Sequence, residues 1–106
     1  MFLNQFKIGK TLVGEGQPAY IIAEIGANFN GSIDQAKKLC DAAKEAGANC
    51  AKFQSFVSEK IVSAVGFSKM NLKGVHGTWD KTVSEVFKEV EFPREWHQEI
   101  KDYCDE

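Results

Sequence analysis

Ala19-Tyr20-Ile21-Ile22-Ala23-Glu24-Ile25 is a nearly continuous apolar run that stops at Gly26, and it dictates the architecture. A run without polar alternation reads as a parallel strand covered on both faces. After the loop Ala27-Asn28-Phe29-Asn30-Gly31, Ser32 opens the clearest helix, where Ser32 and Gln35 read as a capping box. Ala36, Leu39, Cys40, Ala43 and Ala46 line one face at helical spacing, and Lys37, Lys38, Asp41, Lys44 and Glu45 fill the others. Gly47 is placed to end the helix in a left-handed conformation. Residues 49–56 then read as a second strand. Strand, helix and strand within about 35 residues make a βαβ unit with a right-handed crossover. The fold class is therefore α/β.

Ahead of that unit, Phe6-Lys7-Ile8 and Thr11-Leu12-Val13 flank Gly9-Lys10, which predicts a short β-hairpin with a type II′ turn. Gly14-Glu15-Gly16-Gln17-Pro18 follows as a linker. The chain thus divides into residues 1–16, hairpin and linker, and residues 17–106, the α/β part. Residues 57–77 have no sustained period and contain Gly66, Gly74 and Gly77, so a long βα loop with room for a helical turn is expected. Val83, Val86, Phe87 and Val90 predict a helix over 82–90, broken by Glu91-Phe92-Pro93. Pro93 suits the first turn of a last helix, which sets Trp96, Ile100, Tyr103 and Cys104 on one face. By this spacing Phe87, Trp96 and Tyr103 are core residues. The last helix is still periodic at Glu106, and two parallel strands do not make a covered sheet. The pattern reads as the front of a larger α/β protein, holding part of a site.

Composition narrows the function classes. The 106 residues are 43% hydrophobic and 26% charged, which excludes a disordered or membranous chain. Thirteen basic and fifteen acidic residues leave a net charge of -2. Nucleic acids and anionic membranes need a concentrated positive field, so neither is an expected partner. A small anion needs only one or two placed cations and stays possible. Cys40, Cys50 and Cys104 show no CxxC spacing and are odd in number, so reduced thiols serving as small core fillers are expected. The first residues lack the apolar core of a signal peptide, and the longest apolar run is too short to span a bilayer. A cytoplasmic protein is expected.

Glu24 and Lys52 stand out because each sits near the end of an apolar strand, where a charge is costly unless paired or used. Alternation sends Lys52 and Gln54 to one face and Phe53 to the other. On neighbouring strands Glu24, Lys52 and Gln54 would converge at the carboxyl ends, where α/β folds build active sites. The other reading is a buried Glu24–Lys52 ion pair that only sets register. Asn28 and Asn30 lie in the first βα loop, at the same end. Asn30-Gly31 also reads as a plain turn. His76 reads as a loop ligand or a solvated side chain, and His97 as a helix-edge residue. No metal-ligand cluster and no GxxxxGK phosphate loop occurs.

Ile21-Ile22-Ala23-Glu24-Ile25-Gly26-Ala27-Asn28-Phe29-Asn30-Gly31, with Ala36-Lys37-Lys38-Leu39, Asp41-Ala42-Ala43-Lys44-Glu45-Ala46-Gly47-Ala48 and Lys52-Phe53-Gln54, strongly resembles the sialic acid synthase family. These are the N-acetylneuraminate synthases and their legionaminate and pseudaminate relatives. Phe6-Lys7-Ile8-Gly9 and Lys101-Asp102-Tyr103-Cys104 extend the resemblance over nearly the whole chain, and the loop from Val57 to Lys81 matches least. The resemblance implies the N-terminal portion of a (β/α)8 TIM barrel preceded by a short β-hairpin. A whole barrel takes about 250 residues, so residues 17–106 would be its first two β/α units.

The implied reaction condenses phosphoenolpyruvate with N-acetylmannosamine or a related acylated hexosamine, releases phosphate and yields a nonulosonic acid. A divalent metal, manganese or magnesium, is implied, with its ligands outside this segment, and the full-length protein would be a homodimer. Lys52 matches the lysine that holds phosphoenolpyruvate, Glu24 the strand-end glutamate where the two substrates meet, and Gln54 the glutamine that contacts the sugar. Asn28 lies on the same loop side, and Asn71 or Thr78 would supply a further substrate contact. Phe29 stands where the family usually has His, which implies a lost polar contact and an altered acceptor. Two other readings remain: another phosphoenolpyruvate-dependent aldol-type synthase, or a non-catalytic sugar-binding fragment.

Overall fold

A computed structural model describes residues 4–70 and 80–106, in the order β1 (Gln5–Ile8), β2 (Thr11–Gly14), β3 (Ile22–Gly26), α1 (Ile33–Glu45), β4 (Cys50–Phe53), α2 (Ser58–Ile61), α3 (Ala64–Ser68), α4 (Val83–Glu89) and α5 (Trp96–Asp105). The fold is mixed α/β, with two separate two-stranded sheets. β1 and β2 pair antiparallel around Gly9, whose φ of 58° is the positive angle a type II′ turn requires at that position. Phe6, Ile8 and Leu12 stay exposed on this hairpin.

β3 and β4 pair parallel, as the βαβ pattern predicts, with Ile22 opposite Cys50, Ala23 opposite Ala51 and Glu24 opposite Lys52. Asn49 locks the start of β4, because its side-chain oxygen accepts the Ile21 N–H at 2.8 Å while its own N–H donates to the Ile21 carbonyl at 2.8 Å. β4 ends at Phe53, shorter than residues 49–56.

The α1 cap corrects one expectation. Ser32 Oγ accepts the Gln35 N–H at 3.2 Å, but the Ser32 N–H already donates to the Phe29 carbonyl at 3.1 Å, so the Gln35 side chain has no donor to satisfy. The complete capping box sits instead at α4, where Thr82 and Glu85 satisfy each other's backbone N–H groups. At the other end of α1, Gly47 has a φ of 89°, and the Gly47 and Ala48 N–H groups reach the Lys44 and Ala43 carbonyls at 3.0 Å, a Schellman closure. Two short helices, α2 and α3, occupy part of the segment expected as loop. Pro93 precedes α5 instead of entering its first turn, and its carbonyl accepts the Trp96 N–H at 3.0 Å.

One core lies between the β3–β4 sheet and α1 and α5: Ile25, Phe29, Ala36, Cys40, Phe92 and Ile100 are buried, with Phe53, Trp96 and Tyr103 packed on them. Phe87 belongs to a satellite instead, packing on Phe56 at 5.7 Å between ring centroids. The sheet is covered on one face only among the described residues, and Ile21 and Ile22 are 52% and 53% exposed. The expectation of a strand buried on both faces is therefore not met in this chain. A radius of gyration of 17.9 Å, against about 13 Å for a closed domain of this length, records the same openness.

Candidate active site

Parallel pairing brings the carboxyl ends of β3 and β4 side by side, and the 24–52 register puts two opposite charges across from each other. Lys52 Nζ lies 2.9 Å from Glu24 Oε2, with the two side chains 62% and 53% exposed. The pairing was legible in the sequence; its burial was not. An exposed pair adds about 0–1 kcal/mol, so stability is a weak reason for two charges at the end of an apolar strand. Beyond this pair the register shifts between Glu24 and Gly26, and the chain turns away at Gly26, whose φ is 60°. The Gln54 N–H donates to the Gly26 carbonyl at 3.0 Å, which fixes the first residue beyond β4, and Gln54 is exposed.

The loop after β3 separates the remaining candidates. Asn28 is exposed and spends its amide N–H on the Ile25 carbonyl at 2.9 Å. Asn30 takes a φ of 53°, followed by Gly31 at 74°, so this pair is the turn that delivers Ser32 to its cap. Ala27, Asn28, Asn30, Ser32 and Gln35, with Val90, rim an open concavity of about 610 Å³ beside this loop. Phe29 lies inward of this loop. It is fully buried, 6.0 Å from Phe53, 5.4 Å from Phe92 and 5.9 Å from Trp96 between ring centroids. It serves the core, because this aromatic packing takes the whole ring out of solvent.

Asn71, His76 and Thr78 lie outside the described residues. His97 is exposed on α5, with Nδ1 2.9 Å from the Arg94 carbonyl, as a helix-edge residue would be. Among the described residues no three His, Cys, Asp or Glu side chains are grouped so as to hold a metal ion. No described helix is long and apolar enough to cross a membrane. Of the cysteines only Cys40 is a buried filler; Cys50 is half-buried and Cys104 exposed.

A contact that sequence reading missed steadies the segment after β4. The Ser58 N–H donates to Glu91 Oε1 at 2.7 Å, and that bond holds the Glu91 carboxyl below its ordinary range. Thirty-three positions separate the partners, so no local spacing could have revealed it.

The NeuB family model matches residues 39–106. The chain is 37% identical over 101 residues to the spore coat polysaccharide biosynthesis protein SpsE of Bacillus subtilis, covering 95% of this chain and 26% of that protein. It is 39% identical over 100 residues to the mouse N-acetylneuraminate-9-phosphate synthase, covering 89% and 26%. To the pseudaminic acid synthase of Campylobacter jejuni it is 37% identical over 82 residues, covering 76% and 23%. The crystal structure of N-acetylneuraminic acid synthetase from Leptospira borgpetersenii, in complex with citrate, superposes with a TM-score of 0.72 at 26% identity, covering 95% and 30%. The SpsE structure superposes at 0.64 with 36% identity, covering 95% and 25%. The chain therefore spans about a quarter of the length of the curated relatives it matches, with 26% of SpsE as one measure. With a family model matched over more than half its residues, and relatives named as synthases of acidic sugars, the chain belongs to the NeuB family.

Proposed function

We propose that this chain is the opening part of a sialic acid synthase-type enzyme, its two α/β units beginning a (β/α)8 barrel and residues 1–16 forming a separate hairpin and linker. The observation that carries the reading is the Glu24–Lys52 pair, 2.9 Å apart and open to solvent at the carboxyl ends of two parallel strands. Active sites of such barrels are built at that end. The enzyme would condense phosphoenolpyruvate with an acylated hexosamine such as N-acetylmannosamine, forming a carbon–carbon bond and releasing phosphate.

In this reading Lys52 presents a compact ammonium to the anionic groups of phosphoenolpyruvate, a point-charge contact that needs no bidentate geometry. Glu24 holds that ammonium until the anion arrives and then faces the reacting carbons. Gln54, fixed by Gly26, and Asn28 present amides to the acceptor sugar, joined by Asn71 from the following loop. Among the described residues no ligand set is grouped for the divalent manganese or magnesium ion that such an enzyme would use. A homodimer in the cytoplasm completes the reading.

The test is phosphate release from phosphoenolpyruvate with N-acetylmannosamine, assayed on the protein in its longest natural form. Release that depends on an acylated hexosamine supports the reading. Release only with an unrelated aldehyde points to another aldol-type synthase. A protein that gives no heat with phosphoenolpyruvate in titration calorimetry overturns it. This chain alone is expected to release no phosphate.

A further inference from the structure

Between α1 and α5, two of the three cysteines meet. Cys40 on α1 and Cys104 on α5 are 64 positions apart in sequence, yet their Sγ atoms lie 3.5 Å apart. The helices that carry them are tied by two further contacts. Lys37 Nζ lies 2.7 Å from Glu99 Oε1, and the Tyr103 hydroxyl donates to Asp41 Oδ1 at 2.7 Å. The sulfur–sulfur approach therefore rests on a braced helix pair, 3.5 Å against about 2.05 Å in a covalent disulfide.

Exposure is asymmetric. Cys104 is open to solvent and Cys40 is buried. Both line a groove of about 410 Å³ that also contains Asp41, Lys44, Asn49 and Cys50. A small oxidant has room to reach Cys104, and Cys40 waits behind it.

We propose that Cys40 and Cys104 are a redox pair, which a low-molecular-weight disulfide such as oxidised glutathione converts into a covalent staple between α1 and α5. The Cys104 thiolate attacks one sulfur of the oxidant, forming a mixed disulfide and releasing one thiol. The Cys40 sulfur, once deprotonated, then attacks Cys104 Sγ and expels the second thiol. Two protein thiols are oxidised to one disulfide, one small disulfide is reduced to two thiols, and the two protons leave with them. In the reduced pair, burial and the neighbouring Cys104 thiol push the Cys40 thiol up to about 12, which leaves Cys104 as the first nucleophile. The staple forms between the two helices, beside Asn49 and Cys50 at the start of β4. Its effect is on the helical layer: the cross-link closes a long loop and restricts the unfolded chain.

The experiment treats the purified chain with excess oxidised glutathione, then counts free thiols and maps cross-linked peptides by mass spectrometry. The expected result is a fall from three reactive thiols to one, a mass lower by two hydrogens, a Cys40–Cys104 peptide and a higher melting temperature that reductant reverses. Cys50→Ser should form the same cross-link, and Cys104→Ser, an exposed change that leaves the core intact, should form none. Three thiols still free, glutathione retained on Cys104, a bond to Cys50 or a bond between two chains would each overturn the proposal.

Discussion

On the helix side of the β3–β4 sheet, Ile25 is buried, and the Phe29, Phe53, Phe92 and Trp96 rings pack against one another. On the other side, Ile22 is half exposed, and Glu24 and Lys52 pair in the open. The same strands supply both faces, so the difference is not one of propensity. α1 and α5 bring apolar side chains to one face, and no described element brings any to the other. The closed face answers for stability. The open face is where chemistry can be displayed, because a charge there costs little to keep.

The sharpest way to break this comparison is Phe29→Ala. Removing a buried ring from the centre of the aromatic cluster should cost about 3–5 kcal/mol, close to the whole stability of a small domain. Urea unfolding followed by far-UV circular dichroism reads it, and a parent-like midpoint would show that the helix side is not the core. Phe29→His should likewise lose stability, with no gain of a sugar contact, since the ring position faces away from solvent.

On the open face the same logic reverses. Lys52→Met in the longest natural form should lower kcat/KM at least about a hundredfold, or about 2.7 kcal/mol of transition-state stabilisation. Its melting should shift by no more than the value of an exposed ion pair, about 1 kcal/mol or less. A large loss of stability with unchanged turnover would show that the pair is structural. Activity restored in the Lys52→Met, Glu24→Gln double variant would argue the same way.

Smaller effects belong to the α4 cap, which lies on neither face. Thr82→Ala should cost about 1 kcal/mol, measured by chemical denaturation. The Thr82 N–H and hydroxyl hold the Glu85 carboxyl below its ordinary range. A depressed carboxyl contributes stability above its unfolded pKa and loses it as pH falls through the lowered folded value. An acid titration of helical content should therefore show loss below the ordinary carboxylate range, and Glu85→Gln should flatten that part of the curve. An unchanged curve would mean the box adds nothing measurable.

The βαβ unit was legible because its signals are local. Ser32, the Ala36–Leu39–Cys40–Ala43 stripe and Gly47 all act within a turn or two of their own positions. The opposed Glu24 and Lys52 were legible as well, since strand alternation and parallel pairing leave few registers that keep Ile25 and Phe53 on the covered face. The capping box over 82–85 carries an equally local signal, Thr82-Val83-Ser84-Glu85, beside the stronger apolar spacing of Val83, Val86, Phe87 and Val90.

What the amino-acid sequence determined by itself is the succession of hairpin, strand, helix and strand, with caps that start and stop α1, because hydrophobic period and cap chemistry are properties of neighbouring residues. What only the tertiary structure decided is which side chains are taken out of water. Phe29 sits in a loop that reads as polar, and it became core when Phe92 and Trp96, more than sixty positions later, folded over it. Cys40 and Cys104 met, and Ser58 found Glu91, by the same long-range packing. Glu24 and Lys52 stayed in solvent because no described element covers their face. Burial is set by what distant segments bring to a surface, and no local pattern records that.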